Sequence, residues 1–423
     1  MKFLKNRPTL SWCLYDWANS VLATIIFTFV FAVYFSRGIV GDEILGSAYW
    51  GYAVGVAGIV VAIASPILGA ISDAFGPRKH LLGILTLVTI GATASLFWME
   101  PDPSYTFYAL GIVVVTIVGF ELAQAQYNAM LSDVAPPDKI GRVSGWAWGM
   151  GYFGGLCCLV VALLGFIGLG DYAGFLNLPR EGSIHVRATC ILAALWYGVF
   201  ALPLFLYVPD RPKKQGRKNL VRKGIKSLIS TLKSLASTSK NTLRFLIASA
   251  IYRDGLNTLF TVGGLYAAGT FGMNFEEILI FAIGLNVTSG IGAVGFAYMD
   301  DRRGAKPTIV VSLIALIILG VGLILVDDKT HFMILALCLG FFIGPVQSSS
   351  RSMMARLAPK NAGAEFFGLY AMTGKSVAFT GPIAFALITQ MMDSQRWGIS
   401  AIIVLWVVGL IILLKVKETG ADA

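Results

Sequence analysis

Gly69-Ala70-Ile71-Ser72-Asp73-Ala74-Phe75-Gly76-Pro77-Arg78-Lys79-His80 lies between two long apolar runs, about 47–71 and 80–99. Glycine lets a helix end approach its neighbour closely. Aspartate can cap or ion-pair at a helix terminus, and an Arg-Lys pair in a short loop holds that loop on the cytoplasmic side of a membrane. A degraded copy, Ala297-x3-Asp301-x2-Gly304-x-Lys306, follows a later apolar run. Other echoes run in the same order. Tyr15-Asp16 with Asn19 is answered by Tyr252, Asp254 and Asn257, while Gln124, Ala135-Pro136 and Gly145 are answered by Gln347, Ala358-Pro359 and Gly368, each 223 positions on. The chain is therefore expected to be two related helical bundles packed about a shared axis. The repeated motif predicts a conformational latch at Gly69, Asp73, Gly76, Arg78 and Lys79, with a second copy at Asp301, Gly304 and Lys306.

Composition sets the class in which that duplication operates. With 56% hydrophobic and 13% charged residues and a mean hydropathy of +0.74, the 423-residue chain has too little polar surface for a soluble globule. Apolar segments recur at about 11–35, 47–71, 80–99, 105–131, 142–170, 187–208, 243–271, 276–299, 307–326, 331–357, 365–391 and 396–415. This predicts an all-α membrane protein of twelve transmembrane helices in two pseudo-symmetric six-helix bundles. The expected parts are 1–208, a basic linker at 209–242, and 243–423. The first run is too long for the core of a signal peptide and carries Asp16 and Asn19.

Between Asp210 and Arg244 there are eleven Lys or Arg and one acid, so 11 − 1 = +10, the formal charge of the whole chain. The basic balance thus belongs to one segment and does not imply a nucleic-acid surface. Val221, Ile225, Leu228, Leu232 and Leu235 fall on one helical face among these cations, which predicts an amphipathic helix on anionic lipid headgroups; a solvated tether is the alternative. The loops carrying Arg78/Lys79, Lys139/Arg142, Arg302/Arg303/Lys306 and Arg356/Lys360 are expected in the cytoplasm with both termini, in the inner membrane. The five cysteines sit in apolar runs and the three histidines lack partners at ligand spacing, so neither metal nor cofactor is implied.

The stretch 69–80 resembles the cytoplasmic signature loop of the major facilitator superfamily. A narrower resemblance rests on YDWANS (15–20), YNAMLSDVAP (127–136), GRVSGWAWGMGYFGG (141–155), QSSSRS (347–352), EFFGLY (365–370) and GKSVAFTGP (374–382). These are similar to the vacuolar-effluxer-like family of that superfamily, whose best-known eukaryotic members are associated with amino-acid release from the vacuole after autophagy. The resemblance implies the fold and a transport role, with amino acids as the leading substrate class. Short loops and a short N-terminal tail suggest a bacterial member.

An ionisable group at a helix centre costs about 2.5–3.5 kcal/mol on insertion scales and marks a functional candidate. Asp16, Glu121, Arg253, Asp254, Arg351 and Lys375 are such groups, three acids and three bases. A cavity with both signs suits a zwitterion or small anion. Arg351, beside Gln347, Ser348 and Ser350, is the candidate fork for a carboxylate. Asp16 or Asp254 would bind an ammonium or carry a coupling proton, and Glu121 is the other proton candidate. Asn19, Asn128, Asn257 and Lys375 complete the expected substrate set. The structural alternative is internal pairing, Arg253 with Glu121 or Lys375 with Asp254. Gly368-x5-Gly374-Lys375-Ser376 resembles a phosphate-binding loop but is one residue too long and lies within a span, which argues against an ATP-driven pump. Secondary transport, most simply amino-acid efflux by a monomer, is thus expected; another metabolite, a drug, a lipid precursor, or a non-transporting sensor on the same fold are the alternatives.

Overall fold

The computed structural model describes residues 6–168, 174–212, 220–237, 239–273 and 275–417. Every regular element among the described residues is helical. The long helices are α1 (Arg7–Val40), α2 (Leu45–Phe75), α3 (Lys79–Trp98), α4 (Pro103–Val134), α5 (Pro137–Ile167), α6 (Glu181–Tyr207), α7 (Leu220–Ser237), α8 (Lys240–Phe271), α9 (Phe275–Arg303), α10 (Ala305–Leu325), α11 (Lys329–Leu357), α12 (Gly363–Met392) and α13 (Gln395–Leu414). Eleven helices among the described residues are long and apolar enough to cross a membrane. The seventh of the twelve expected spans, about 243–271, is the one this number leaves out. The helix α8 has the length but not the apolarity, because Arg253, Asp254 and Asn257 sit in its middle.

Contacts divide the chain into two units that do not follow the linker. One holds 1–64, 76–127 and 150–214; the other holds 65–75, 128–149 and 215–423. The helix α2 changes unit beside Pro66, whose missing N–H breaks the helical ladder there.

The first unit is built on aromatic side chains of α1, α4 and α6. Trp12 stacks on Tyr127 with ring centres 4.4 Å apart. Its indole N–H donates to the Tyr127 carbonyl at 3.1 Å, and the Tyr127 hydroxyl donates to the Trp12 carbonyl at 3.0 Å. The Tyr15 hydroxyl lies 2.7 Å from both Thr86 Oγ1 and the Tyr197 hydroxyl, so these buried polar tips satisfy one another. In α5, Gly154 packs on the α1 backbone, where an added Cβ would lie 2.5 Å from the Trp17 carbonyl. Asp210 caps α3, accepting the Arg78 N–H at 2.8 Å. The Lys79 ammonium donates to the Val208 carbonyl at 2.6 Å.

The second unit packs through small residues. The helices α9 and α11 touch so closely that a Cβ at Gly292 would lie 1.8 Å from the Phe341 carbonyl oxygen, and one at Gly344 2.0 Å from the Ser289 carbonyl oxygen. The repeat mates Gly145 and Gly368 act alike: a Cβ at either would lie 2.5 Å from a backbone oxygen, of Ala293 and Ser65 respectively. We expect Gly292→Ala to force the two backbones apart and to destabilise the protein by about 1–3 kcal/mol or more. Gly295→Ala, with nothing within 4 Å of the new methyl, is expected to be near neutral. Thermal unfolding of the two purified variants compares them directly.

The linker helix α7 belongs to the second unit. Its apolar residues do not share one environment as expected. Leu228 and Leu235 are buried, whereas Ile225 and Leu232 are 41% and 43% exposed; the Val221 side chain lies outside the described residues. The reason is that α7 packs along the line of Gly224, Ser227, Leu228 and Thr231, where Gly224 meets Ile71 of α2 and Ser227 bonds Glu365 of α12.

Candidate transport site

Mid-membrane charge in the second unit centres on Tyr252-Arg253-Asp254 of α8. Opposite it, α12 is discontinuous, its first half Gly363–Val377 and its second Thr380–Met392. Asp254 is 1% exposed and sits at the start of the second half. Its Oδ2 accepts the Thr380 hydroxyl at 2.5 Å and the Gly381 N–H at 2.8 Å. A carboxylate at a helix N-terminus satisfies an otherwise orphaned donor and meets the positive end of the helix dipole. Arg253 instead lies over the Tyr370 ring, its Cζ 4.0 Å from the ring centre, in contact with the first half of α12. Adjacent residues of α8 thus hold both sides of the break in α12.

Arg253 has no carboxylate within ion-pair distance among the described residues, and its Nη1 is buried without a hydrogen-bond acceptor. Nearby, the Tyr252 hydroxyl is 2.6 Å from Ser350 Oγ. The next residue, Arg351, is 3% exposed and directs its guanidinium inward. Nε donates to Ser144 Oγ at 2.9 Å, Nη2 to the Ser144 carbonyl at 2.7 Å, and Nη1 to Asn128 Oδ1 at 3.3 Å. Asn128 and Arg351 are repeat mates, since 351 − 128 = 223, so they meet at equivalent positions of the two halves.

The paired motifs are also engaged. Asp73 Oδ2 accepts the Glu365 N–H at 2.8 Å in the first turn of α12. The approach requires Gly69, where a Cβ would lie 2.2 Å from the Ala364 carbonyl oxygen. In the second copy, Asp301 accepts the Gly141 N–H at 2.8 Å, the Arg142 N–H at 3.2 Å and Arg142 Nε at 2.5 Å. Arg356 adds Nη1 to Asp300 at 2.7 Å and Nη2 to Asp301 at 3.8 Å. Gly76 and Gly304 both adopt positive φ, +104° and +97°, which only glycine does without strain. Lys306 donates to the Leu414 carbonyl at 2.9 Å.

The other sequence-predicted residues differ in exposure. In the first unit Asp16 is 5% exposed, and Asn19 donates to Gln124 Oε1 at 3.1 Å. Glu121, Gln347 and Lys375 are half-buried, and Asn257 is exposed. The internal pairing of Lys375 with Asp254 does not form among the described residues: α8 directs Asp254 to a helix end, while Arg253 meets an aromatic ring. Sequence reasoning marks Arg253 as mid-span charge without giving it a role, and misses Tyr370, Glu365, Asp300 and Arg356 as site residues. The 223-residue offset applied to charges would have found the first-turn pair Arg142 and Glu365.

The fold recurs in solved transporters. The human organic anion transporter MFSD10 (TETRAN) matches with a TM-score of 0.73 at 13% identity, over 97% of this chain and 99% of that one. The proton:xylose symporter XylE matches with a TM-score of 0.73 at 14% identity, over 99% and 96%. Residues 1–157 fit the Major Facilitator Superfamily model, and the chain has the all-α, multi-pass membrane fold of that superfamily. Within it, residues 135–421 fit the model described as Vacuole effluxer Atg22 like, and the chain belongs to that family. It is 27% identical over 416 residues to the MFS-type transporter YxiO of Bacillus subtilis, covering 97% of this chain and 95% of that protein. It is 24% identical to the Autophagy-related protein 22 of Kluyveromyces lactis, over 83% and 75%. The Autophagy-related protein 22 of Cryptococcus neoformans is 24% identical over 65% of this chain, which spans 50% of that protein.

Proposed function

We propose that the protein exports small amino acids across the cytoplasmic membrane by alternating access, with Arg253 receiving the substrate carboxylate. The observation that carries this reading is a guanidinium placed over the Tyr370 ring with a buried, unsatisfied Nη1 and, among the described residues, no acid within ion-pair distance. A buried donor without an acceptor costs about 1–3 kcal/mol, and an arriving carboxylate removes that cost while gaining charge-assisted bonds. Arg351, held by Ser144 and Asn128, adds positive potential from α11, with Gln347 and Asn128 as polar neighbours and Lys375 as a further cation. Asn257 is a peripheral contact; in the first unit, taken by itself, Asp16 and Asn19 are candidates for an ammonium, and Asp16 and Glu121 for a proton. Asp254 serves the transport cycle through the broken helix it caps.

In this reading the ends carrying Asp73 and Asp301 are cytoplasmic, as are both termini, and the protein works as a monomer. The exposed Ile225, Ile229 and Leu232 of α7, flanked by exposed Arg222, Lys226 and Lys233, rest on anionic lipid headgroups. Family membership supports an efflux role, and the sequence resemblance makes amino acids the leading substrate class.

Counterflow of labelled neutral amino acids in proteoliposomes tests the proposal, with and without an imposed pH gradient. Substrate-dependent exchange, altered by the gradient, is the expected result. A folded, inserted sample that exchanges no amino acid would overturn the substrate assignment.

A further inference from the structure

The two copies of the motif dock onto helix N-termini that carry opposite charges. Positions 142 and 365 are repeat mates, since 365 − 142 = 223, and each lies in the first turn of the helix its aspartate engages. Where Asp301 meets Arg142, acid meets base. Where Asp73 meets Glu365, acid meets acid.

Glu365 is 1% exposed and closed in by three elements. From α2, Asp73, 6% exposed, accepts its backbone N–H at 2.8 Å. From α7, the Ser227 hydroxyl donates to Oε2 at 3.0 Å, and the Thr231 hydroxyl also reaches the carboxyl. On its own helix the nearest cation in sequence, Lys375, is ten residues on, three turns away. Oε1 is buried with no hydrogen-bond partner. Asp73 is the charged group that acts on Glu365 electrostatically, and Glu365 itself makes no ion pair among the described residues. The cations of α7 whose side chains are described, Arg222, Lys226 and Lys233, are exposed. The junction is tight, because a Cβ at Gly224 of α7 would lie 2.9 Å from Ile71 Cγ1 of α2.

Enclosure beside a second carboxyl, with Oε1 unpartnered and no cation ion-paired to Glu365, favours a bound proton, while the two hydroxyl donors and the end of α12 hold the anion once the proton is lost. We propose that Glu365 is a proton-binding site of the transport cycle, protonated while α2, α7 and α12 are docked together and ionised when they part. Loss of the proton places a second negative charge beside Asp73 inside the junction. Repulsion then releases both the latch and the linker helix, and the proton leaves to the solvent on that side. The site requires nothing of the substrate assignment.

Two measurements on the purified full chain in lipid nanodiscs test it without substrate. The first is infrared spectroscopy of the protonated-carboxyl band. The band is expected at neutral pH in the wild-type protein, disappearing on alkaline titration, and it should be missing from the neutral isostere Glu365→Gln. A Glu365→Gln spectrum with the same band as wild type would overturn the proposal. The second follows the docking of α7, using Leu228→Cys in a chain whose five native cysteines are replaced. Maleimide labelling of this buried position, corrected for the intrinsic pH dependence of a free thiol, should rise with pH by about tenfold per unit through the titration. It should stay low and flat when Glu365→Gln is added. Labelling that is flat while Glu365 is present, or equally steep with and without Glu365→Gln, would overturn the coupling of the proton to the junction.

Discussion

Arg253→Ala is expected to lower substrate counterflow by about 100-fold while leaving the protein folded. Charge-assisted hydrogen bonds contribute about 1.5–3 kcal/mol, and each 1.4 kcal/mol is tenfold in affinity. The structural cost is smaller, because Arg253 forms no ion pair among the described residues and would lose mainly its contact with Tyr370, worth about 0.5–2 kcal/mol. Arg253→Lys keeps the charge but not the planar stack or the paired N–H geometry, and an intermediate loss of about tenfold is expected. Concentration dependence separates the possibilities: a raised half-saturation constant at preserved maximal exchange marks lost recognition. Unchanged exchange by folded Arg253→Ala would remove the residue from the site.

Asp301→Ala is expected to produce the largest loss of stability. Its carboxylate accepts two backbone N–H groups at the start of α5 and the Arg142 side chain, with Arg356 bridging to Asp300. The Asp301 side chain is 2% exposed, so truncation leaves several buried donors without acceptors. Breaking a buried pair on one side costs about 3–5 kcal/mol. The Arg142 side chain is 27% exposed and water can reach it, which favours the lower end. Thermal unfolding of Asp301→Ala, Arg142→Ala and the double variant gives the coupling. The double variant should lose less than the sum of the single ones, and strict additivity would show that the pair does not interact.

These two arginines and the aspartate between them show how unevenly the site could be read. Glycines at 69, 145, 304 and 368 were legible, because a small residue repeated at fixed spacing in an apolar chain has few uses besides close approach, and each has that use or a positive-φ turn. Asp73 and Asp301 were legible as acids that meet a helix terminus, but the residues they meet, Glu365 and Arg142, were not. Asp254 looked like a membrane-embedded acid available for chemistry. Its role as a cap depends on the break in α12, where Pro382 has no N–H to bond the Ala378 carbonyl; the sequence marks that break with Gly381-Pro382 but not the acid that meets it.

Arg351 and Arg253 looked alike as mid-helix cations. One is hydrogen-bonded to Ser144 and Asn128, and the other stacks on a tyrosine with a donor unsatisfied. Composition, hydropathy and the 223-residue echo by themselves determined a multi-pass helical membrane protein made of two related halves, with charges at costly depths. Those properties follow from what each segment must do with its own backbone and its own solvent. Only the tertiary structure decided which charges are satisfied and which remain open. Pairing depends on groups hundreds of residues apart coming within about 3–4 Å, and helical periodicity specifies the face of a helix but not the neighbour it meets.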